Sequence, residues 1–326
     1  MSKIVDKKEC NYDNIKASTK TFIIKTNIII DIKKLFDLLP ITHYNIIPKK
    51  RGRKKKNTPI DIINDIPNGS VITLEYEDKI RGVDLKDKKR IKKTNNDSSP
   101  LYTQSSSKKI TYFRNSTAIV MMIDNKIINF KISNNGKFQM TGCKYMSHAE
   151  KCIHYIWSYI KDTDIYKFYN VNECDLEVMF IPSMRNIDFD IGFTIDREAL
   201  DKYINTNTEF RSLLETSIGY TGVNIKMPFS KSILDIKVIQ KKWENGIWIN
   251  KEIISYSNYL DKENEKERKK KINKKRFTTF LVFHSGKTIM STISKSYGKE
   301  PFYKFLDIII NNKNILEEKL NEFDKI

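Results

Sequence analysis

Hydrophobic positions along the chain fall into short runs with strand character, separated by a few amphipathic stretches of helical period. Phe22 to Ile30 is β-branched and nearly continuous, as in a buried strand. Asp31 then precedes Ile32, Leu35, Phe36 and Leu39, which share one helix face, and Pro40 stops that helix. Thr58-Pro59 with Asp61 predicts a second short helix, ended by Pro67-Asn68-Gly69. Val71 to Tyr76 alternates as a strand. Three more strands, Ala118 to Ile123, Ile127 to Ile132 and Phe138 to Thr141, follow across turns at Asp124-Asn125-Lys126 and at Asn134 to Gly136. Ser147 and Glu150 have capping-box spacing. They open a helix to about Lys161 with Ala149, Ile153, Ile156, Trp157 and Ile160 on one face.

The same order returns in the second half. Asn186 to Phe193 belongs to a strand, and Asp196 caps a helix carrying Leu200, Tyr203 and Ile204. A second short helix is expected to carry Phe210, Leu213 and Leu214, and strand signal resumes between Ile218 and Phe229. Phe277 to Phe283 and Thr288 to Ser291 flank a turn at Ser285-Gly286-Lys287. A last helix, starting near Pro301, places Phe302, Phe305, Leu306 and Ile309 on one face. Two Gly-Lys turns, in Asn134 to Lys144 and His284 to Ser294, thus sit in the same setting, which predicts an internally duplicated domain. Gly136 and Gly286 are 150 residues apart, Asn27 and Asn186 159. Residues 1–18 read as a flexible tail. The first repeat covers 19–163, with basic insertions at about 45–57 and 84–110; the second covers 175–318, with an insertion at about 230–275. That insertion holds a hairpin-like piece, Trp243 and Trp248 around Glu244-Asn245-Gly246, and the basic tract Lys266 to Arg276.

Composition narrows the function. At 326 residues and 39% hydrophobic, the chain can bury a sizeable core, and its net charge of +19 points to a polyanionic partner. Lys, Asn and Ile are all abundant, as in an AT-rich genome, so charge alone divides evenly between a nucleic-acid partner and a solvated surface. Cys10, Cys143, Cys152 and Cys174 form no CxxC pair, which fits reduced thiols in an intracellular protein. Charged residues from Lys3 to Glu9 break any signal-peptide run, and no stretch has the apolar length of a membrane span. Asp188 and Asp190 share a strand face and could hold a divalent metal, but a third carboxylate and a phosphate-binding loop are not evident. His148, Cys152 and His154 cannot converge on one zinc from a single helix. No P-loop, nucleophile elbow or Gly-rich dinucleotide turn is present, so no catalytic residue, metal or cofactor is expected.

The element order, twice over, resembles the TATA-box-binding protein family, and the chain looks like a divergent member of giant-virus type. Its hairpin signature, close to Ser-Gly-Lys-x-x-x-Thr-Gly-Ala-Lys, is matched by Gly136-Lys137 with Thr141-Gly142-Cys143-Lys144, and in part by Ser285-Gly286-Lys287, where Ser291-Thr292 replaces Thr-Gly. The resemblance implies an α+β fold of two tandem repeats forming one curved antiparallel saddle sheet, with helices on its convex face. Such a sheet lies on the DNA minor groove, where apolar wedges unstack base steps and Asn and Thr probes tell A·T from G·C.

On that resemblance, Asn27 and Asn186 look like the first-strand asparagines, and Thr141 and Ser291 are the small hydroxyls beside them. Lys137, Lys287 and Lys226 are implied as DNA-contacting cations. Phe283, three residues before Gly286, matches one wedge, and Tyr220 matches the other conservatively. In the first repeat Ser116 and Ser133 fall at the wedge positions; a one-residue-longer turn would substitute Ile132 for Ser133. Arg51-Gly52-Arg53 resembles a minor-groove AT-hook, with a nuclear localisation signal or a plain basic loop as alternatives; the tract holding Lys269 and Lys270 has the same alternatives, and both are auxiliary basic loops that could contact phosphate.

The implied protein is a non-enzymatic initiation factor of the nucleus or a cytoplasmic viral factory. Its implied partners are A·T-rich duplex DNA, a transcription factor IIB-like protein and a multisubunit RNA polymerase, with no membrane. Whether it forms a homodimer when free stays open. The alternatives are a saddle-fold interaction scaffold without DNA bending and, more remotely, a metal-dependent nucleic-acid enzyme at Asp188 and Asp190.

Overall fold

The computed structural model describes residues 2–3, 11–42, 66–82, 115–215 and 222–318. The helix expected from Thr58, the basic insertions at about 45–57 and 84–110, Arg51, Arg53 and Tyr220 lie outside these residues. The fold is α+β, and its contacts divide it into two compact units. The first unit comprises Ile24–Val178 with Trp243–Trp248; the second draws on Met1–Ile23, Met179–Lys242 and Ile249–Ile326.

The chain opens with β1 (Ser2–Lys3), a 3-10 turn at Tyr12–Asn14, β2 (Thr19–Thr26), β3 (Ile28–Ile30) and α1 (Ile32–Leu38). It continues through β4 (Val71–Tyr76), β5 (Lys79–Gly82), β6 (Ser116–Ile123), β7 (Lys126–Ser133) and β8 (Lys137–Cys143) to α2 (Met146–Ile160) and β9 (Tyr166–Phe168). In the first unit β8, β7, β6, β4 and β5 lie side by side and antiparallel. Strands β3 and β9 form a separate antiparallel pair. Helices α1 and α2 pack on one face of the sheet. Ile119, Met121, Phe130, Phe138 and Met140 are buried there, with Leu35 and Phe36 of α1 and Ile153, Ile156 and Trp157 of α2. Each such side chain contributes about 2 kcal/mol by leaving water.

The second half runs β10 (Glu177–Asp190), α3 (Arg197–Asn207), β11 (Arg211–Glu215), β12 (Gly222–Pro228), β13 (Lys237–Glu244), β14 (Ile247–Ser255), α4 (Tyr256–Asp261) and α5 (Glu265–Asn273). It ends with β15 (Phe277–Phe283), β16 (Lys287–Thr292), α6 (Lys295–Asn311) and α7 (Lys313–Leu316). Here β10, β16, β15, β12 and β11 form an antiparallel sheet, with α3 on β11 and β12 and α6 on β15 and β16. Phe189, Val223, Ile225, Phe280, Val282 and Met290 meet Phe302, Phe305 and Ile309 in the core. The rings of Phe280 and Phe305 stack with centroids 4.3 Å apart.

Four expectations are corrected. Residues 11–18 are no loose tail: Tyr12 is 0% exposed, its hydroxyl accepts from Arg185 Nη1 at 3.0 Å, and Arg185 Nη2 donates to the Ile15 carbonyl. The ring fits because residue 298 is glycine; a Cβ there would stand 2.2 Å from the Tyr12 hydroxyl. Phe210, Leu213 and Leu214 lie at a strand, because β12 supplies a ladder for Arg211–Glu215 and adjacent leucines must point to opposite faces. The Ser147–Glu150 box does not open α2, whose N-cap is Tyr145; the Lys144 N–H instead donates to His148 Nδ1. Finally, α6 begins at Lys295 and carries Pro301 inside it, because its first turns bury Tyr297 beside Phe229 and Gly298 beside Tyr12.

Candidate nucleic-acid interface

Each unit covers one sheet face with helices, and strand alternation sends every second side chain to the other face. In the second unit the ladder registers align these outward residues in rows. Asn186 stands beside Ser291, then Thr279, Lys226 and Arg211; Asp188 stands beside Ile289, then Leu281, Asn224 and Leu213. Phe283 and Gly222 form a further pair, and Asp190 pairs with Lys287. All these residues except Gly222 keep solvent exposure, Leu213 as much as 59%. The result is an apolar strip of Leu213, Leu281, Ile289 and Phe283, interrupted by Asn224 and edged by amides, hydroxyls, three cations and the carboxylates of Asp188 and Asp190.

The first unit's outward rows differ. Thr73, Val120, Asn129 and Thr141 align, as do Glu75, Ala118, Lys131 and Gln139, and Ser116 pairs with Ser133. The larger apolar groups at the far end, Met122, Val120 and Ile127, pack under Ile66 and Ile72 in a cluster of their own. Ile72 reaches them through a register shift between Val71 and Thr73. This face is polar where the second unit's is apolar.

The Gly-Lys turns explain why the two faces can be compared residue by residue. Gly136 N–H donates to the Ser133 carbonyl at 3.0 Å, and Gly286 N–H to the Phe283 carbonyl at 2.9 Å. Both glycines have positive φ, and a Cβ would come within 2.0 Å of the Ile28 carbonyl oxygen at Gly136 and 2.2 Å of the Phe193 carbonyl oxygen at Gly286. The neighbouring strand latches on in the same way in both units. Thr26 N–H bonds Gly136 and Ile30 N–H bonds Asn134; Ile191 N–H bonds Gly286 and Ile195 N–H bonds His284. The next residues, Asp31 and Asp196, cap α1 and α3, each Oδ1 accepting two backbone N–H bonds. Asp31 N–H donates to the Ile165 carbonyl, Asp196 N–H to that of Leu316.

This pattern corrects two assignments. The turns have equal length, so Ser133, not Ile132, is the counterpart of Phe283. Ile132 is fully buried beside Thr117 and Phe138, and the Thr117 hydroxyl bonds the Ile32 carbonyl of α1, so it is core. The first-strand offset is 165, from Asp31 to Asp196, rather than 159, so Asn27 and Asn186 are not counterparts. Counting back 165 from Asn186 gives Thr21. Asn27 is spent inside the first unit: Nδ2 donates to Glu173 Oε2 and the Asp175 carbonyl, and Oδ1 accepts from Glu177 N–H. By contrast, Asn186 Oδ1 and Thr21 Oγ1 are buried oxygens without a hydrogen-bond partner among the described residues. An unmet buried acceptor costs about 1–3 kcal/mol.

The remaining predicted residues are scattered around these faces. Thr141 is exposed and donates to the Asn129 carbonyl, while Ser291 lies between Asn186 and Thr279. Thr292 occupies the place of Gly142; it is buried and its hydroxyl meets Thr278 Oγ1 at 3.2 Å, which accounts for the altered motif ending. Lys137 and Lys287 begin the strands after the two turns. Lys269 and Lys270 are exposed on α5 and pair with Glu265 at 2.6 Å and Glu267 at 3.9 Å. Asp188 accepts from the Ser18 hydroxyl and Asp190 from Gly192 N–H, and among the described residues no three His, Cys, Asp or Glu are grouped to hold a metal ion. Thr279, Leu281 and Leu213 escaped the sequence reading, although stepping back by twos from Phe283 would have reached the first two.

Among the described residues no helix is long and apolar enough to cross a membrane. No family model matches the chain. It is 23% identical over 223 residues to the uncharacterized protein 335L of Invertebrate iridescent virus 6, a match covering 66% of this chain and 65% of that relative's length. Among solved structures it is similar to Methanococcus jannaschii TBP, at a TM-score of 0.40 and 14% identity, over 91% of this chain and 98% of that one.

Proposed function

We propose that the chain is a non-enzymatic, TATA-box-binding-protein-like initiation factor built of two tandem repeats, which docks the outward sheet faces on the minor groove of A·T-rich promoter DNA. Recruitment of a transcription factor IIB-like protein and RNA polymerase follows from the same reading, as does action in the nucleus or a viral factory. One observation carries it: Phe283 stands on a partly exposed apolar strip at the lip of the Gly286 turn, beside a row of Asn186, Ser291, Thr279 and Lys226. A minor groove offers few distinguishing donors and acceptors, so a flat face of small hydroxyls, amides and apolar groups suits it. A ring inserted at one base step costs a few kcal/mol of unstacking, offset by the larger contact of a bent duplex. Exposed Lys269 and Lys270 add phosphate contact.

The test is anisotropy of the full chain with an A·T-rich and a G·C-rich duplex at two salt concentrations. The reading predicts preference for the A·T-rich duplex, a shallower salt slope on replacing Lys269 and Lys270, and lost affinity in Phe283→Ala and Asn186→Ala. Weak binding to both duplexes, or indifference to those two substitutions, refutes it. A protein-interaction scaffold is the second reading, favoured by the carboxylates of Asp188 and Asp190 on the same face, which oppose phosphate.

A further inference from the structure

The insertion between β12 and β15 carries a hairpin whose outer strand has one strand neighbour among the described residues. Asn245 and Gly246, both at positive φ, make the tight turn from β13 to β14. On one face of β14, Ile254 enters a core with Val238, Tyr256 and Leu260. On the other, Ile247, Ile249 and Ile253 are 62%, 41% and 64% exposed. Among the described residues β14 pairs only with β13, so its far edge presents a row of backbone donors and acceptors. Edge strands are ordinarily blunted by proline, a bulge or charge, and β14 has no proline and two charged residues of opposite sign, Lys251 and Glu252, in nine.

We propose that β14 pairs antiparallel with β14 of a second copy of this chain, across a two-fold axis at Asn250. The strand is self-complementary in that register. Ile247 faces Ile253 twice, Ile249 faces Lys251, and Trp248 faces Glu252, so no like charges meet. A shift by two in one direction sets Lys251 against itself, and a shift by four sets Glu252 against itself. A shift by two the other way slides Ile253 past the strand end to Asn245. A symmetric contact of one patch with itself is the ordinary way two copies associate. This dimer uses the insertion, not the outward faces assigned to DNA, and is independent of that assignment.

Sedimentation equilibrium of the full chain over a concentration series tests it, with thermal melts to show that each variant folds. The unmodified protein is expected to dimerise, with β14 amides gaining hydrogen-exchange protection as concentration rises. Ile247→Lys with Ile253→Lys sets like charges opposite one another and should give a monomer throughout. Ile247→Glu with Ile253→Lys sets opposite charges in the same places and should keep the dimer, as should Phe283→Ala. A monomeric unmodified chain, equal behaviour of the two double variants, or dissociation by Phe283→Ala overturns the proposal.

Discussion

The two Gly-Lys turns are held by the same bonds, yet the sheet faces beside them differ in chemistry. In the second unit Leu213 is exposed and Leu281, Ile289 and Phe283 are partly so; in the first, Ser116 and Ser133 stand at the turn and the apolar residues beyond are capped by Ile66 and Ile72. The turn and its latch therefore fix a scaffold, and the residue three positions before the glycine is free to differ. On the proposed reading, Phe283 acts on DNA and the glycines hold the architecture.

The largest effect should come from a part of the second unit that has no counterpart among the described residues of the first. Tyr12→Ala opens a cavity and strands the Arg185 guanidinium, which should cost about 4 kcal/mol in denaturant unfolding. Next come the glycines. Gly136→Ala and Gly286→Ala each force a Cβ against a carbonyl oxygen at positive φ and should lose about 3 kcal/mol apiece; unequal losses would break the equivalence of the turns. Gly142→Ala, at positive φ but with its nearest neighbour 3.5 Å away, should cost about 1 kcal/mol. The asparagines sharpen the contrast. Asn27→Ala should lower the melting point and leave DNA affinity per folded molecule unchanged, whereas Asn186→Ala should weaken binding with little change in melting.

The smallest effect is in pH. Burial lowers the pKa of both His148 and His154 in the first unit, against the raising influence of Asp124 on His148. The folded rings hold protons less readily than the unfolded chain, so unfolding takes up protons. Stability should be full above about pH 6.5 and decline as pH falls through the lowered pKa values. Thermal melts between about pH 7 and pH 5 should show the decline, and His154→Phe should reduce it.

Much of this was legible in the residues. Asp31 and Asp196 announce α1 and α3 because a carboxylate ahead of an apolar helix face has one strong use. The hairpins around Gly136 and Gly286 follow from alternation and turn chemistry. Long-range partners were not legible. Nothing local tells Tyr12 that Arg185 and Gly298 will enclose it, or Asn27 that Glu173 and Glu177 will consume its amide. Turn length is also open in the sequence, so Ser133 and Ile132 both remain candidates for the place of Phe283 until the register of the two turns separates them. Leu213 and Leu214 misled because their helix signal was short and β12 supplied a ladder.

The central claim is that the residue before the turn, not the turn itself, bends DNA. A fluorescence-pair A·T-rich duplex reports this directly, comparing the unmodified protein with Phe283→Ala and Ser133→Phe at saturating concentration. The account predicts a bend that falls toward that of the free duplex in Phe283→Ala and grows in Ser133→Phe. A Phe283→Ala protein that binds and bends the duplex as the unmodified one does would contradict it.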